Sequence, residues 1–162
     1  MVALSLGILA LVVPFLSTRR VSADKVDDQV RQPFQTQAAC RVFAGDSICS
    51  ATTPAVPPNK ELVIETVSAE EDVPSGQGVV LLFDTQVNGN HALNRVALTP
   101  SGTFLGTQAV FVATHAVRLY ADPGSTVVFT LQRSDITGQG SFGGVLTGYL
   151  VDCEAGTNCT LH

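Results

Sequence analysis

The chain predicts an all-β fold, an antiparallel two-sheet sandwich of the jelly-roll type with about eight strands. Three observations predict it. From Cys40 onward, turn signals recur at a spacing of roughly ten residues. The runs between them are rich in Val, Leu, Phe and Thr, which suit a pleated, half-buried surface. No segment after the leader keeps a helical period over three turns, so no substantial helix is expected. An immunoglobulin-like topology is the alternative, but the chain has no Trp for the core position that fold usually fills.

The chain divides into three parts. Ala3 to Leu16 is almost unbroken hydrocarbon, interrupted by Ser5, Gly7 and Pro14. Val21-Ser22-Ala23 supplies small residues where a signal peptidase needs them, and polar Asp24-Lys25-Val26-Asp27-Asp28 follows. Residues 1–23 therefore read as a signal peptide cleaved after Ala23. Arg19 and Arg20 lie after the apolar run rather than before it. A start upstream of Met1 explains that placement, and an uncleaved anchor or a plain cytoplasmic chain are the rival readings. The run is shorter than the roughly 20 residues a spanning helix needs. Residues 24–39 mix charge, Gln and a lone Pro without an apolar period, and read as a flexible N-terminal arm or a loosely attached first strand. Residues 40–162 form the sandwich domain.

Within that domain the turns are Pro57-Pro58-Asn59, Pro74-Ser75-Gly76, Asn88-Gly89, Pro100-Ser101-Gly102, Asp122-Pro123-Gly124 and a long Gly-rich loop from Ser134 to Gly144. Lys60 to Glu70 alternates, with Leu62, Ile64 and Thr66 on one face and Val63, Glu65 and Val67 on the other. Gly78 to Val87 is a strongly apolar strand. Asn88-Gly89 supplies the positive φ angles of a tight hairpin, and His91 to Leu98 returns. Ala109 to Thr114 and Ala116 to Ala121 form one long strand, or two with a kink at His115. Ser125 to Arg133 points Val127, Phe129 and Leu131 inward, and Val145 to Val151 closes the domain.

The full chain carries a net charge of −5, and removal of Arg19 and Arg20 with the leader makes the mature chain two charges more negative. That balance argues against nucleic acid and anionic membrane surfaces as partners. Charged residues make up only 14%, so the outward faces of the strands are left to Thr, Ser and Gln.

Four cysteines, Cys40, Cys49, Cys153 and Cys159, allow three pairings. Two local bridges fit the spacing best. If Ala44-Gly45 is a hairpin loop, Phe43 faces Asp46, Val42 faces Ser47, and Cys40 faces Cys49 at a site without ladder hydrogen bonds, where side chains come closest. Cys153 and Cys159 enclose the flexible Glu154-Ala155-Gly156-Thr157-Asn158. The rival arrangement ties the first strand to the tail, and free or metal-bound thiols are the third. The spacings do not match a zinc site.

Candidate chemistry is sparse. His91, His115 and His162 are far apart in sequence. Glu70-Glu71-Asp72 is the densest acidic patch and reads as a solvated loop; calcium binding or a glycosidase pair would be its functional uses. Gly140-Ser141-Phe142-Gly143 does not match a nucleophile elbow. Phe104 and Phe142 each lie in a Gly-flanked loop, where an aromatic either caps the sandwich or anchors a partner. Asn158-Cys159-Thr160 matches an N-glycosylation acceptor. The closing segment, with Phe142 and Tyr149 among glycines, resembles the last strand of trimeric jelly-roll domains of the complement and tumour-necrosis type. No function is carried across from that resemblance.

These readings lead to an exported, non-enzymatic interaction or structural domain, secreted, periplasmic or at the cell surface. It is expected to need no cofactor or metal. Its partner would be a protein or surface, without nucleic acid and without membrane after cleavage, and a homo-oligomer, a homotrimer in particular, is a further reading. A jelly-roll hydrolase or metal-dependent enzyme is the alternative, and it requires His91 and His115, or two carboxylates, to converge in one pocket.

Overall fold

The computed structural model describes residues 31–153. The expectations for the leader, for residues 24–30, for Cys159, for His162 and for the Asn158 acceptor lie outside the described residues.

Nine strands follow one another: β1 Arg31–Val42, β2 Ile48–Thr52, β3 Lys60–Pro74, β4 Val79–Val87, β5 Asn90–Val96, β6 Thr99–Phe104, β7 Gln108–Ala121, β8 Val128–Arg133 and β9 Gly140–Asp152. They form a five-stranded sheet in the order β1-β9-β3-β7-β6 and a four-stranded sheet in the order β2-β8-β4-β5. The pairs β1·β9, β2·β8, β3·β7 and β4·β5 are all antiparallel and nested one inside the next. This is one long ribbon rolled so that its arms alternate between two sheets, which is the jelly roll. First and last strands are neighbours in the same sheet, an order that differs from the immunoglobulin alternative. No helix appears among the described residues.

Residues 31–39 belong to β1 and pair with β9 from end to end, so over this stretch the flexible-arm reading is corrected and the first-strand reading holds, as an edge strand. The missing apolar period has a simple cause. Only alternate positions, Phe34, Thr36, Ala38, Cys40 and Val42, turn toward the core, and several of them are small or polar. Backbone pairing carries the strand where side-chain burial is weak.

The core lies between the sheets. Leu62, Ile64, Val67 and Ala69 from β3 meet Leu81 and Phe83 from β4 and Phe129 and Leu131 from β8. The rings of Phe83 and Phe129 lie 5.0 Å apart, and those of Phe129 and Phe142 lie 5.4 Å apart. Full burial of each such ring contributes roughly 2–3 kcal/mol. The alternation expected for β3 breaks at Glu65, where the register shifts between Ile64 and Thr66. This bulge turns Val67 rather than Thr66 toward the core.

The Gly-rich loop is shorter than expected, because β9 starts at Gly140. Two glycines of β9 serve close packing rather than turning. A Cβ on Gly144 would stand 2.5 Å from the Phe142 ring, and one on Gly148 would stand 1.9 Å from the Val63 carbonyl oxygen. Pro100-Ser101-Gly102 is likewise not a turn but part of edge strand β6, bulged between Pro100 and Gly102. Proline is tolerated there because an edge strand needs no ladder donor on its open side. The Asn88-Gly89 hairpin forms as expected, with φ of 52° and 74°. Both carboxylate oxygens of Asp122 accept its backbone N–H groups, from Asn88 at 3.0 Å and Gly89 at 2.9 Å.

A candidate interaction surface at one end of the sandwich

Four connections share one end of the molecule: the β1–β2 turn, the β3–β4 turn, the β6–β7 turn and the β8–β9 loop. They are fastened in series. Gly45 N donates to Ile136 O at 2.8 Å, the Gln77 side chain donates to Thr137 O at 2.9 Å, and Ser75 N donates to Thr107 O at 3.0 Å. Arg133, at the end of β8, lies beneath them and is buried. Its guanidinium donates to the carbonyls of Phe43, Asp46, Thr137 and Gly138 at 2.8–3.1 Å. A rigid planar fork of five N–H groups suits this task better than a point charge.

Exposed apolar side chains gather on this braced end, among polar ones such as Asp46, Asp135 and Gln139. Six large hydrophobic residues are exposed in the described structure, and five of them, Phe43, Ile48, Phe104, Leu105 and Ile136, sit on or beside these connections. Leu105 is 81% exposed and holds a φ of 50°. That left-handed conformation normally falls to Gly or Asn, and a bulky residue there is strained. The opposite end carries Asn88, Asn90 and Asp122 at its turns, and none of the five lies there.

The two candidate phenylalanines separate. Phe104 ends β6 and is 55% exposed, as a partner contact requires. Phe142 points inward from β9 and is 2% exposed, packed on Phe129. Its assignment as a contact residue is corrected. The glycines around it, taken as loop markers, make room for its ring.

Cys40 and Cys49 are disulfide-bonded as expected, but not as facing residues of one hairpin. Cys40 pairs with Phe142 of β9 and Cys49 with Leu131 of β8, so the bridge joins the two sheets. The turn Phe43–Asp46, closed by Asp46 N donating to Phe43 O at 3.0 Å, is a corner between layers. Cys153 is not a free thiol; Cys159, its expected partner, is outside the described residues.

The groups weighed for catalysis do not assemble. His91 Nδ1 lies 2.8 Å from Asp84 Oδ2, whereas His115 Nε2 lies 2.8 Å from the Ala97 carbonyl. Ser141 Oγ donates to Asp72 rather than to a histidine. Among the described residues no three His, Cys, Asp or Glu side chains are grouped to hold a metal ion. Also among them, no helix is long and apolar enough to cross a membrane.

The acidic patch is not a solvated loop. It lies in β3, with Glu70 exposed, Asp72 half-buried and Glu71 fully buried. Glu71 pairs with Phe142 on one side and Phe111 on the other. Neither carboxyl oxygen of Glu71 has a hydrogen-bond partner. Burial pushes its pKa from the ordinary 4.5 up to about 8. Sequence reasoning missed this residue and Arg133, because a charge inside a strand looks the same whether it faces water or core. For Glu71 the signal was available: it lies at even spacing from Val67, Ala69 and Val73.

No family model matches the chain, and no curated protein matches it. Among solved structures, it is similar to a chain of the cyanophage Pam1 capsid asymmetric unit. That likeness covers 92% of this chain and 99% of the other, at 16% identity and a TM-score of 0.44. At such distance the likeness is one of general fold alone, an antiparallel two-sheet sandwich, and nothing about activity or assembly rests on it.

Proposed function

We propose that this chain is an exported, non-enzymatic β-sandwich that works as an interaction or structural subunit at the cell envelope or outside the cell, and that its loop end is the contact surface. The observation that carries the reading is the gathering, among the described residues, of five of six exposed large hydrophobics on mutually fastened connections. Exposed apolar side chains cost solvation free energy, and a contiguous group of them marks a contact surface more often than scattered single residues do. Leu105 adds strain to exposure, and strain retained on a tip is a further sign of use. The leader and the Cys40–Cys49 bridge support export, since disulfides persist in oxidising compartments.

The test is site-specific photo-crosslinking in cells that express the whole chain with its leader. A photoreactive residue at position 105 is expected to give discrete adducts, and one at exposed position 90, on the opposite end, is expected to give none. The exported protein is expected to lack its leader and to carry no free thiol. Equal labelling from both positions, no adduct from position 105, or an intact leader on protein with reduced cysteines would overturn the reading. A strictly monomeric mass by light scattering would exclude the homotrimer.

A further inference from the structure

We infer that a polar cleft on the outer face of the five-stranded sheet, between Arg41 and Asp72, binds a small zwitterion of amino-acid size. The site lies beside the loop end but does not depend on that end being a contact surface.

The strand register builds the cleft. Arg41 of β1 opposes Ser141 of β9, and Ser141 opposes Asp72 of β3. The three therefore stand in one row across three adjacent strands, and their chain neighbours Val42, Phe142 and Val73 are buried in the core side. Successive residues of a strand point to opposite faces, so the row stands on the solvent face. Gln108 of β7 joins it there, opposite Pro74, two positions along β3 from Asp72. These four, with Gln139 and Gly140, line a cleft of about 180 Å³.

The charges give the cleft a direction. Ser141 Oγ donates to Asp72 Oδ2, and the other Asp72 oxygen has no hydrogen-bond partner among the described residues. Asp72 is half-buried, while Arg41 is exposed and makes no hydrogen bond or ion pair with any other described residue. Two strand spacings, roughly 10 Å, separate the two backbones. Exposed Glu70, in the next outward-facing row, adds negative charge on the Asp72 side.

A ligand with one charge meets one partner near the surface, and a single exposed ion pair holds little. A molecule with a carboxylate for Arg41 and an ammonium for Asp72 makes its second contact within the same complex, at high effective concentration. A guanidinium only donates and an ionised carboxylate only accepts, so the two ends of the ligand cannot exchange places. The Gln108 and Gln139 amides, each both donor and acceptor, suit the polar body between those ends. A cavity of about 150 Å³ accepts benzene, and alanine has the same number of non-hydrogen atoms.

The experiment titrates the disulfide-intact protein with alanine, with propionate and with ethylamine, followed residue by residue by amide NMR. Propionate is alanine without its ammonium group, and ethylamine is alanine without its carboxylate. Saturable shifts at residues 41, 72, 108 and 139–141 are expected, with alanine held about tenfold more tightly than either relative. Arg41→Gln is expected to erase the advantage over ethylamine, and Asp72→Asn the advantage over propionate. Absence of saturable shifts, shifts centred on Phe104, Leu105 and Ile136, equal affinity for alanine and either relative, or an advantage that survives its substitution would overturn the assignment. If Asp72→Asn does not fold, the wild-type series and Arg41→Gln still decide the matter.

Discussion

Cys40 and Cys49 are bonded across the gap between the two sheets, with Cα atoms 6.1 Å apart and a sequence separation of 9. The bridge lies at the corner where the chain leaves the five-stranded sheet for the four-stranded one. In both strands the hydrogen-bonding partner lies elsewhere, in β9 and β8. The covalent link therefore supplies a connection that backbone pairing does not.

Loss of that link is expected to lower stability. Replacing both cysteines by Ala should cost about 2–3 kcal/mol by loop-closure entropy. Urea unfolding of the double variant checks this, with β-type far-UV dichroism retained before the transition. A change under about 0.5 kcal/mol would show that the corner holds without it.

Arg133 is expected to matter more than its surface neighbours. Arg133→Ala leaves the Phe43, Asp46, Thr137 and Gly138 carbonyls without their donor, and should cost roughly 2–4 kcal/mol. Arg133→Lys should recover only part of it, because an ammonium cannot span the same acceptors. Hydrogen exchange should quicken first at Gly45, whose N–H is bonded across to Ile136 O.

Glu71 makes stability depend on pH in a stated direction. Its folded pKa, about 8, lies above the ordinary 4.5. Between those values the folded state holds a proton that the unfolded state has released, so stability falls as pH rises through this window. Below 4.5 the group is neutral in both states. Glu71→Gln removes the titration, so its advantage over wild type should grow from pH 4 to pH 8 by roughly 2–5 kcal/mol and then level off. Denaturant midpoints of both proteins along that range test it. A constant difference would mean that Glu71 ionises within the fold as freely as it does in water.

Gly148→Ala is expected to be among the most damaging single-methyl additions. The new Cβ would meet the Val63 carbonyl oxygen at 1.9 Å, and backbone on a central strand cannot move aside cheaply. Gly143→Ala, two positions from Ser141 on the same strand, meets nothing within 4 Å and serves as the control. A loss of about 2 kcal/mol or more at position 148 against less than 1 at position 143 is the expected contrast in thermal or urea unfolding.

Fold class, the tight hairpin at Asn88-Gly89 and the bonding of Cys40 to Cys49 were readable from residues alone. Each is a local matter: alternation over a few residues, a turn that demands positive φ, two sulfurs brought within reach by a short loop. The neighbours of each strand were not readable, because β1 at one end of the domain pairs with β9 at the other, Arg31 with Val151 and Val42 with Gly140, and no local pattern encodes that choice. Such pairing settled the status of residues 31–39, of the glycines in β9 and of Phe142. Only the rolled tertiary arrangement set Glu71 between Phe111 and Phe142 and brought Phe43, Phe104, Leu105 and Ile136 to one end. Burial and proximity are properties of the assembled layers, whereas strand and turn preferences belong to the chain before it folds.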